Sequence, residues 1–323
     1  MPNPLNVHVN QPLTDLSIGH FETEIEKYVS PRAFPMVGLR KQSDLVYEYN
    51  RGDLARLEMA MRASGAVADR GGWRLSTTAI TTQRWALGQA IGNDEIHNQD
   101  EVLDLENDAM QYLMEQWLLR MDERFAAAAF AAGLWTTDLT AGVGFTAWDA
   151  AAATPSTDIH EAKNTIRRLA MARLPDEDFV LICGVNAWSA LKEAADIENK
   201  FAQTQTGILT RKLVAQACEI GDVIVADTIQ NTGPEGGADT GAFVFNARHA
   251  LLVHRQPNPG KRKLSGGYTY CWTGRPGNSK YGHNLKSWDD VDTDARLVEL
   301  NAYFVHQRMS DDLGAFFINA GPA

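Results

Sequence analysis

Few residues of this chain stand at a spacing that chemistry would use. Gly277 and Gly282 are separated like the glycines of a phosphate-cradling loop, but His283 and Asn284 follow where that loop needs Lys and Ser or Thr. The apolar run Phe179–Cys183 is followed by a lone Gly184, so the three-glycine dinucleotide fingerprint is missing. Gly277-Asn278-Ser279-Lys280-Tyr281 lacks the second glycine of a nucleophile elbow. His249 and His254 look like a metal pair, but five residues apart in a strand they face opposite sides. Arg51-Gly52-Asp53 reads as a turn. Carboxylates are plentiful, as in any acidic protein, and nothing in their spacing marks an acid–base pair. We therefore expect no catalytic residue, no cofactor and no bound metal.

Composition narrows the class further. The chain has 323 residues, 44% apolar and 22% charged, enough for about two domains with buried cores. A net charge of −11 disfavours coating of nucleic acid, which needs a basic face. Cys183, Cys218 and Cys271 form an odd set without CxxC spacing and read as buried thiols. Met1-Pro2-Asn3-Pro4 opens a polar stretch rather than a secretory leader, and no apolar run is long enough for a membrane span. The expected setting is a reducing cytoplasm.

The elements that would position functional residues are easier to read. Leu5, Val7 and Val9 alternate with polar residues among Pro2, Pro4 and Pro12, so residues 1–20 read as an extended arm without a local strand partner. A short helix is expected at 21–29. From Arg40 to Ile91 the pattern is β-like: Leu45, Tyr47 and Tyr49 on the outgoing limb, Trp73, Leu75, Ala79, Trp85, Leu87 and Ile91 on the return. Gly71-Gly72 supplies turn chemistry between them, and 54–63 could be helical. This loop holds eight basic residues, among them Arg51, Arg56, Arg62, Arg70 and Arg74, against five acidic ones.

A single amphipathic helix is expected over 100–132. Leu103, Met110, Met114, Trp117, Met121, Phe125 and Ala128 share one face, and Gly133 stops it. Asp100, Glu101, Asp104 and Asp108 crowd its start, as the positive end of a helix dipole favours. Residues 156–230 read as helix 159–174, strand 179–183, helices 186–201 and 208–220, and strand 222–227, an α/β unit with a short parallel pair. A Gly-rich loop follows at 231–241, then strands 242–246 and 250–254 and an irregular segment to about Trp288. A long strand at 295–309 and a short one at 315–318 end the chain.

This order of elements resembles the major capsid proteins of tailed double-stranded-DNA bacteriophages, the Hong Kong 97 fold. The run Val29-Ser30-Pro31-Arg32-Ala33-Phe34-Pro35-Met36-Val37-Gly38-Leu39-Arg40-Lys41-Gln42-Ser43 is similar to that family's link from N-terminal arm to extended loop. The resemblance covers nearly the whole chain in layout, while its local motifs are degenerate. It implies an α+β fold with an N-terminal arm (1–39), an extended β-hairpin loop (40–91), a peripheral domain with spine helix (92–149) and an α/β axial domain (150–285). A peripheral return strand (286–310) and an axial C-terminal strand (311–323) complete it. The implied function is structural: pentamers and hexamers closing into an icosahedral head around DNA, in a virion assembled in the bacterial cytoplasm.

The implied partners are further copies of the chain, a scaffolding protein, a portal, decoration proteins and DNA held by proximity alone. No long charged helical segment of the kind that serves some members as a built-in scaffold is seen, so the resemblance implies either a separate scaffold or a trimmed mature form, and Met1 favours the separate scaffold. The family's Lys–Asn cross-link has no motif here. An encapsulin-like nanocompartment shell is the alternative, and a cytosolic α/β enzyme with an inserted β-loop is the more distant one. Expected subunit-interface residues are Leu5, Val7 and Val9 of the arm, Arg51, Arg56, Arg62, Arg70 and Arg74 of the loop, and Asp100, Glu101, Asp104 and Asp108 of the helix start. The loop of one copy would lie over the acidic helix start of the next.

Overall fold

The computed structural model describes residues 8–49, 51–65, 67–98, 104–202, 209–258, 260 and 263–322. In chain order the first elements are β1 (His8–Val9), α1 (Gln11–Glu24), α2 (Val29–Ala33), β2 (Met36–Leu39), β3 (Ser43–Tyr49), α3 (Arg51–Leu54), β4 (Leu75–Thr81) and β5 (Gln83–Gly92). Then come α4 (Asn93–Asn98), α5 (Leu105–Ala129), β6 (Thr137–Thr140), α6 (Pro155–Ala170), β7 (Phe179–Gly184), α7 (Val185–Glu193), α8 (Ala195–Ala202), α9 (Arg211–Ala217) and β8 (Asp222–Ala226). The chain ends with β9 (Ile229–Asn231), β10 (Gly241–Phe243), β11 (Ala250–His254), β12 (Gly267–Trp272), β13 (His283–Asp290), β14 (Ala295–Arg308) and β15 (Gly314–Ile318).

Two sheets carry the fold. The first has six strands in the order β1-β13-β14-β12-β2, with β5 on the other side of β14. The second has five, β6-β15-β11-β7-β8, in which β7 and β8 run parallel. The amphipathic stripe of α5 lies on the first sheet: Met110, Leu113, Met114, Trp117 and Met121 pack against Val298, Leu300, Ala302 and Phe304. Its last turns reach the second sheet, where Phe125, Ala129 and Phe130 meet Val180, Ile182, Leu251 and Phe316. Alternate residues of β7 point the other way. Phe179, Leu181 and Cys183 join Ile159, Ile166, Leu191 and Val214 of the covering helices. Every residue of β7 is buried, as a two-sided strand requires.

Between the two contact zones of α5 sits Asp122, fully buried. Its carboxylate accepts from the Val29 and Ser30 amides at 3.2 and 2.7 Å, the free N–H groups at the start of α2. It also accepts from the Thr228 hydroxyl at 2.6 Å. Burial pushes this carboxyl up to about 6, against the lowering effect of those three donors. Next to it His306 Nε2 donates to the Met121 carbonyl at 3.0 Å, and Thr269 Oγ1 lies 2.9 Å from Nδ1. His283 bridges Ser17 of α1 and Ser279 at 2.9 and 2.8 Å beneath Trp117. Desolvation lowers these imidazoles to about 4 and about 3, so both are neutral at pH 7.

Several expectations need correction. Residues 11–24 are helical rather than extended. Pro12 sits in the first turn, where its missing N–H costs nothing, and Asn10 Oδ1 caps the helix by accepting from Leu13 N. The helix packs on its own subunit, with Phe21 stacked 4.9 Å from Trp117, and Val9 pairs with Lys286 of β13. Val9 thus finds a strand partner within its own subunit, where the sequence led us to expect an arm without one. Leu5 and Val7 lie outside the described residues, as do Asp100, Glu101 and Leu103. The long helix begins at Leu105 behind an Asp104 cap, which makes it roughly 37 Å long.

Other differences are local. The helix expected at 186–201 breaks at Ala194, which is extended (φ −66°, ψ 129°). The segment to Trp288 is not irregular but holds β12 and β13. Residues 137–140, grouped by sequence with the spine helix, pair with β15 in the second sheet. The strand expected at 242–246 is the short β10.

Replacing Asp122 by Ala strands three donors in the core and should cost about 2–4 kcal/mol in denaturant unfolding. The pH dependence has two opposing parts. His283 and His306 have depressed values, so their stability is present above about 6.5 and is lost as pH falls through about 4 and about 3. Asp122 is raised, so its contribution is present below 3.8 and is lost as pH rises through about 6. Between pH 7 and 5 the two histidines together outweigh the one carboxyl, and the net effect is destabilising. Asp122→Asn removes the compensation and should show the larger fall in urea midpoint between pH 7 and 5. An equal or smaller fall than wild type would refute this assignment.

Candidate assembly surface

The hairpin of β3 and β4 has two unlike faces, set by its register. Asp44, Val46 and Glu48 oppose Ile80, Thr78 and Ser76, and at the root Val46 and Ile80 pack on Leu39, Tyr268 and Tyr270. The other face pairs Leu45 with Ala79, Tyr47 with Thr77 and Tyr49 with Leu75. There Leu45, Tyr47 and Leu75 are 52%, 55% and 50% exposed. A two-stranded hairpin with one rooted face and one apolar outward face is marginal alone in water. Past the strands, Leu57, Met59 and Met61 are almost fully exposed, and Val67 and Trp73 largely so.

The loop arginines do not act as one positive patch. Arg74 Nε lies 3.0 Å from Asp53 Oδ2, its backbone N–H donates to the same oxygen, and this fork holds the Asp53 carboxyl below its usual range. Arg56 reaches Asp53 at 3.8 Å and Glu58 at 3.6 Å. Arg51 meets Asp312, ahead of β15, at 3.7 Å. Arg62 and Arg70 are exposed and make no ion pair among the described residues. Three of the five expected loop residues thus brace the loop itself. Gly71-Gly72 belongs to the return limb, because pairing already stops at Tyr49 and Leu75. The helical stretch expected at 54–63 does not form: the single turn of α3 ends at Leu54, and 55–63 are neither helix nor strand.

On the acidic side, Asp104 is a helix cap whose Oδ1 accepts from Asn107 N at 3.2 Å, and Asp108 faces solvent. Glu106 is paired with Arg296 at 2.6 Å. No ion pair among the described residues joins the loop to this helix start within one chain. Farther along α5, a cleft of about 290 Å³ opens between the helix and β5, lined by Trp85, Leu87, Leu113, Trp117, Leu119 and Leu300. The guanidiniums of Arg120 and Arg124 lie 5.4 and 5.5 Å from the Trp85 ring. A second cleft of about 560 Å³, shared with Tyr28, Arg32, Glu115 and Ile224, adjoins it at Gln116 and Leu119. The cysteines are buried, with Cys218 and Cys271 pushed up to about 12 by desolvation. His249 and His254 meet different partners, Asn319 N and Asp178. Among the described residues no group of three potential metal ligands converges.

No protein-family model and no curated protein sequence matches this chain. Solved structures do. A phage-related protein of Bordetella bronchiseptica superposes with a TM-score of 0.73 at 17% identity, over 98% of this chain and 99% of that one. The capsid of cyanophage P-SCSP1u gives 0.55 at 12%, over 91% and 89%. This chain has the Hong Kong 97-type capsid fold. A Synechococcus elongatus encapsulin also matches, with a TM-score of 0.50 at 8% identity over 90% and 86%, so this fold serves more than one kind of shell. Within the fold, the long helix on a mixed sheet, the protruding hairpin and the separate α/β sheet are those the sequence led us to expect.

Sequence reasoning weighed the loop's charges and missed its apolar content. The signal was present: Leu57, Met59 and Met61 alternate with Glu58 and Ala60, a period of two that was set aside for a helix. The Asp53–Arg74 brace leads to a direct test. Arg74→Ala should release the far end of the loop, raising the rate of limited trypsin cleavage at Arg62 and Arg70 while the thermal midpoint stays unchanged. Cleavage at the wild-type rate would show that the brace does not order the loop.

Proposed function

We propose that the chain is the repeating subunit of a closed icosahedral shell, the head of a tailed bacteriophage, built from pentamers and hexamers. The observation that supports this reading best is the hairpin: its outward apolar face and free edges are liabilities in a monomer and useful only when a neighbour covers them. In this reading α5 with the six-stranded sheet forms the peripheral unit, and the five-stranded sheet with α6–α9 forms the axial unit near capsomer axes. Residues 8–39 become an intrasubunit brace as much as an arm, and 40–91 the extended loop. Arg62, Arg70 and Asp108 remain the charged residues available to neighbours, each exposed pair contributing ~0–1 kcal/mol. The subunit has no proposed catalytic role.

Enclosed double-stranded DNA would meet an acidic or neutral wall, because the chain's charge of −11 gives no basic lining. A scaffolding protein, a portal and decoration proteins are the expected partners, in a virion assembled in the bacterial cytoplasm. The encapsulin-like reading rests on the same fold, and the greater similarity to a phage-related protein supports the phage reading over it. Purified chain, alone or with a co-expressed scaffold, should give closed particles in negative-stain micrographs and a matching large species in light scattering. A stable monomer or dimer under both conditions would overturn the proposal. Particles from infected or induced cells that hold a protein cargo and no DNA would assign the chain to a nanocompartment instead.

A further inference from the structure

Two buried titratable groups meet at the joint of the two sheets, and they fasten α5 to different bodies. His306 holds it to the first sheet: Nε2 donates to the Met121 carbonyl at 3.0 Å, and Thr269 Oγ1 of β12 lies 2.9 Å from Nδ1. Asp122 holds it to the other side, through the Val29 and Ser30 amides and the Thr228 hydroxyl. Those donors belong together, because Arg32 of α2 pairs with Asp222 of β8 at 2.9 Å. Ser30 Oγ, 3.4 Å from His306 Nε2, joins the two locks. Their access to water differs. The cleft of about 560 Å³ is lined by Tyr28, Arg32, Asp227 and Thr228, so Thr228 touches both the Asp122 carboxylate and open space. His306 does not line that cleft and lies among the rings of Phe125 and Phe304, at 5.9 and 5.5 Å.

The charges around Asp122 oppose its ionised form. Burial holds the carboxyl at about 6, and Asp227, just past β8, adds to the effect. Tyr28, ahead of α2, offers no cation: burial and the charges of Glu115, Asp122 and Glu24 push its hydroxyl up to about 12. Of the nearby cations, Arg32 is engaged by Asp222, and Arg124 of α5 adds to the burial that keeps His306 neutral. We propose that Asp122 is a proton-operated latch: its ionisation raises the frequency with which the start of α2 and Thr228 part from α5 toward the cleft and admit water, while His306 keeps α5 seated on the first sheet. The closed joint remains the ground state, and proton concentration sets how often it opens. Opening hydrates Asp122 and returns it toward 3.8, so its hold on the closed joint is present below 3.8 and is lost as pH rises through about 6. Unfolding of the whole subunit also frees His306 and His283, which favour unfolding as pH falls. The latch and global unfolding therefore answer pH with opposite signs.

Hydrogen exchange on the full-length chain reads the latch at two amides. Val29 and Ser30 N–H are bonded to Asp122 and exchange when it opens. After correction for the intrinsic rate, their protection should fall about tenfold from pH 5 to 7.5, as the step from about 6 to 3.8 requires. Amides of β14 beside His306 should show no such fall. In Asp122→Asn, protection at Val29 and Ser30 should be the same at both pH values. Thr228→Val keeps the carboxylate and removes one donor, and should lower protection at both amides about tenfold at pH 7.5; it decides the question if the Asn variant does not fold. Wild-type protection that stays level or rises with pH would overturn the proposal. So would an equal fall in the Asn variant, unchanged protection in Thr228→Val, or amides at 29 and 30 that always exchange together with β14, since the joint would then open only with the whole subunit.

Discussion

Burying one carboxylate at the joint between two sheets is the constraint on which the rest of this structure depends. Asp122 is tolerable only because three donors converge on it, and they come from separate segments: two amides at the start of α2 and the hydroxyl that follows β8. Such a group is costly to leave half-satisfied. It therefore holds the spine helix, the N-terminal segment and the second sheet in one relative arrangement. His306 adds a second lock one residue away by donating to the Met121 carbonyl, and Thr269 ties that ring to β12. Apolar contacts on α5 supply most of the attraction on either side of this point, but they are adaptable. The polar locks make the arrangement specific.

That rigidity explains the division between the interior and the periphery of the molecule. The covering helices are fixed in the same manner. Lys163 of α6, fully buried, donates to Asp176 and to the Cys218 and Glu219 carbonyls just past the end of α9. Desolvation of Asp176 opposes these contacts, yet Lys163 and Arg167 together hold its carboxyl below the usual value. The hairpin, by contrast, is braced at points, through Asp53–Arg74 and Arg51–Asp312, and leaves its apolar side to solvent. A subunit of the proposed shell would need this combination. Its body must not deform when loaded, and its edges must remain unsatisfied until a neighbour arrives.

Legibility from sequence followed the same division. Elements whose burial repeats with their own period were readable: α5 from its stripe of Met110, Met114, Trp117 and Met121, β7 and β8 as apolar runs, and β14 as a long strand. β12 was hidden by the glycines around it. Gly267 is required because a Cβ there would sit 2.3 Å from Phe34 Cε2, a packing demand that looks like loop composition in the sequence. Pro12 read as part of an extended arm and proved to be a first-turn helical proline. The break at Ala194 carries no Gly or Pro and had no local signal. In the loop the arginines were visible, but their use was not. Whether Arg56 faces Glu58 or a neighbour is decided by tertiary geometry that charge counting does not contain.

A fold organised this way also orders its own construction. The two cores meet on α5 and are complete within one chain, so a subunit can fold before it finds a partner. The hairpin adds nothing to either core, since Val46 and Ile80 pack in a separate small cluster with Leu39, Tyr268 and Tyr270, so covering or uncovering its outward face changes subunit stability little. Association is then drawn from surface that folding never used, a few half-exposed side chains and open strand edges per contact. Contacts of that size are individually weak and reversible, which lets a misplaced subunit leave. In the proposed shell, strength would come from repetition around the closed surface rather than from any one joint. A fully apolar, fully buried interface would have tied folding to assembly and removed that capacity for correction.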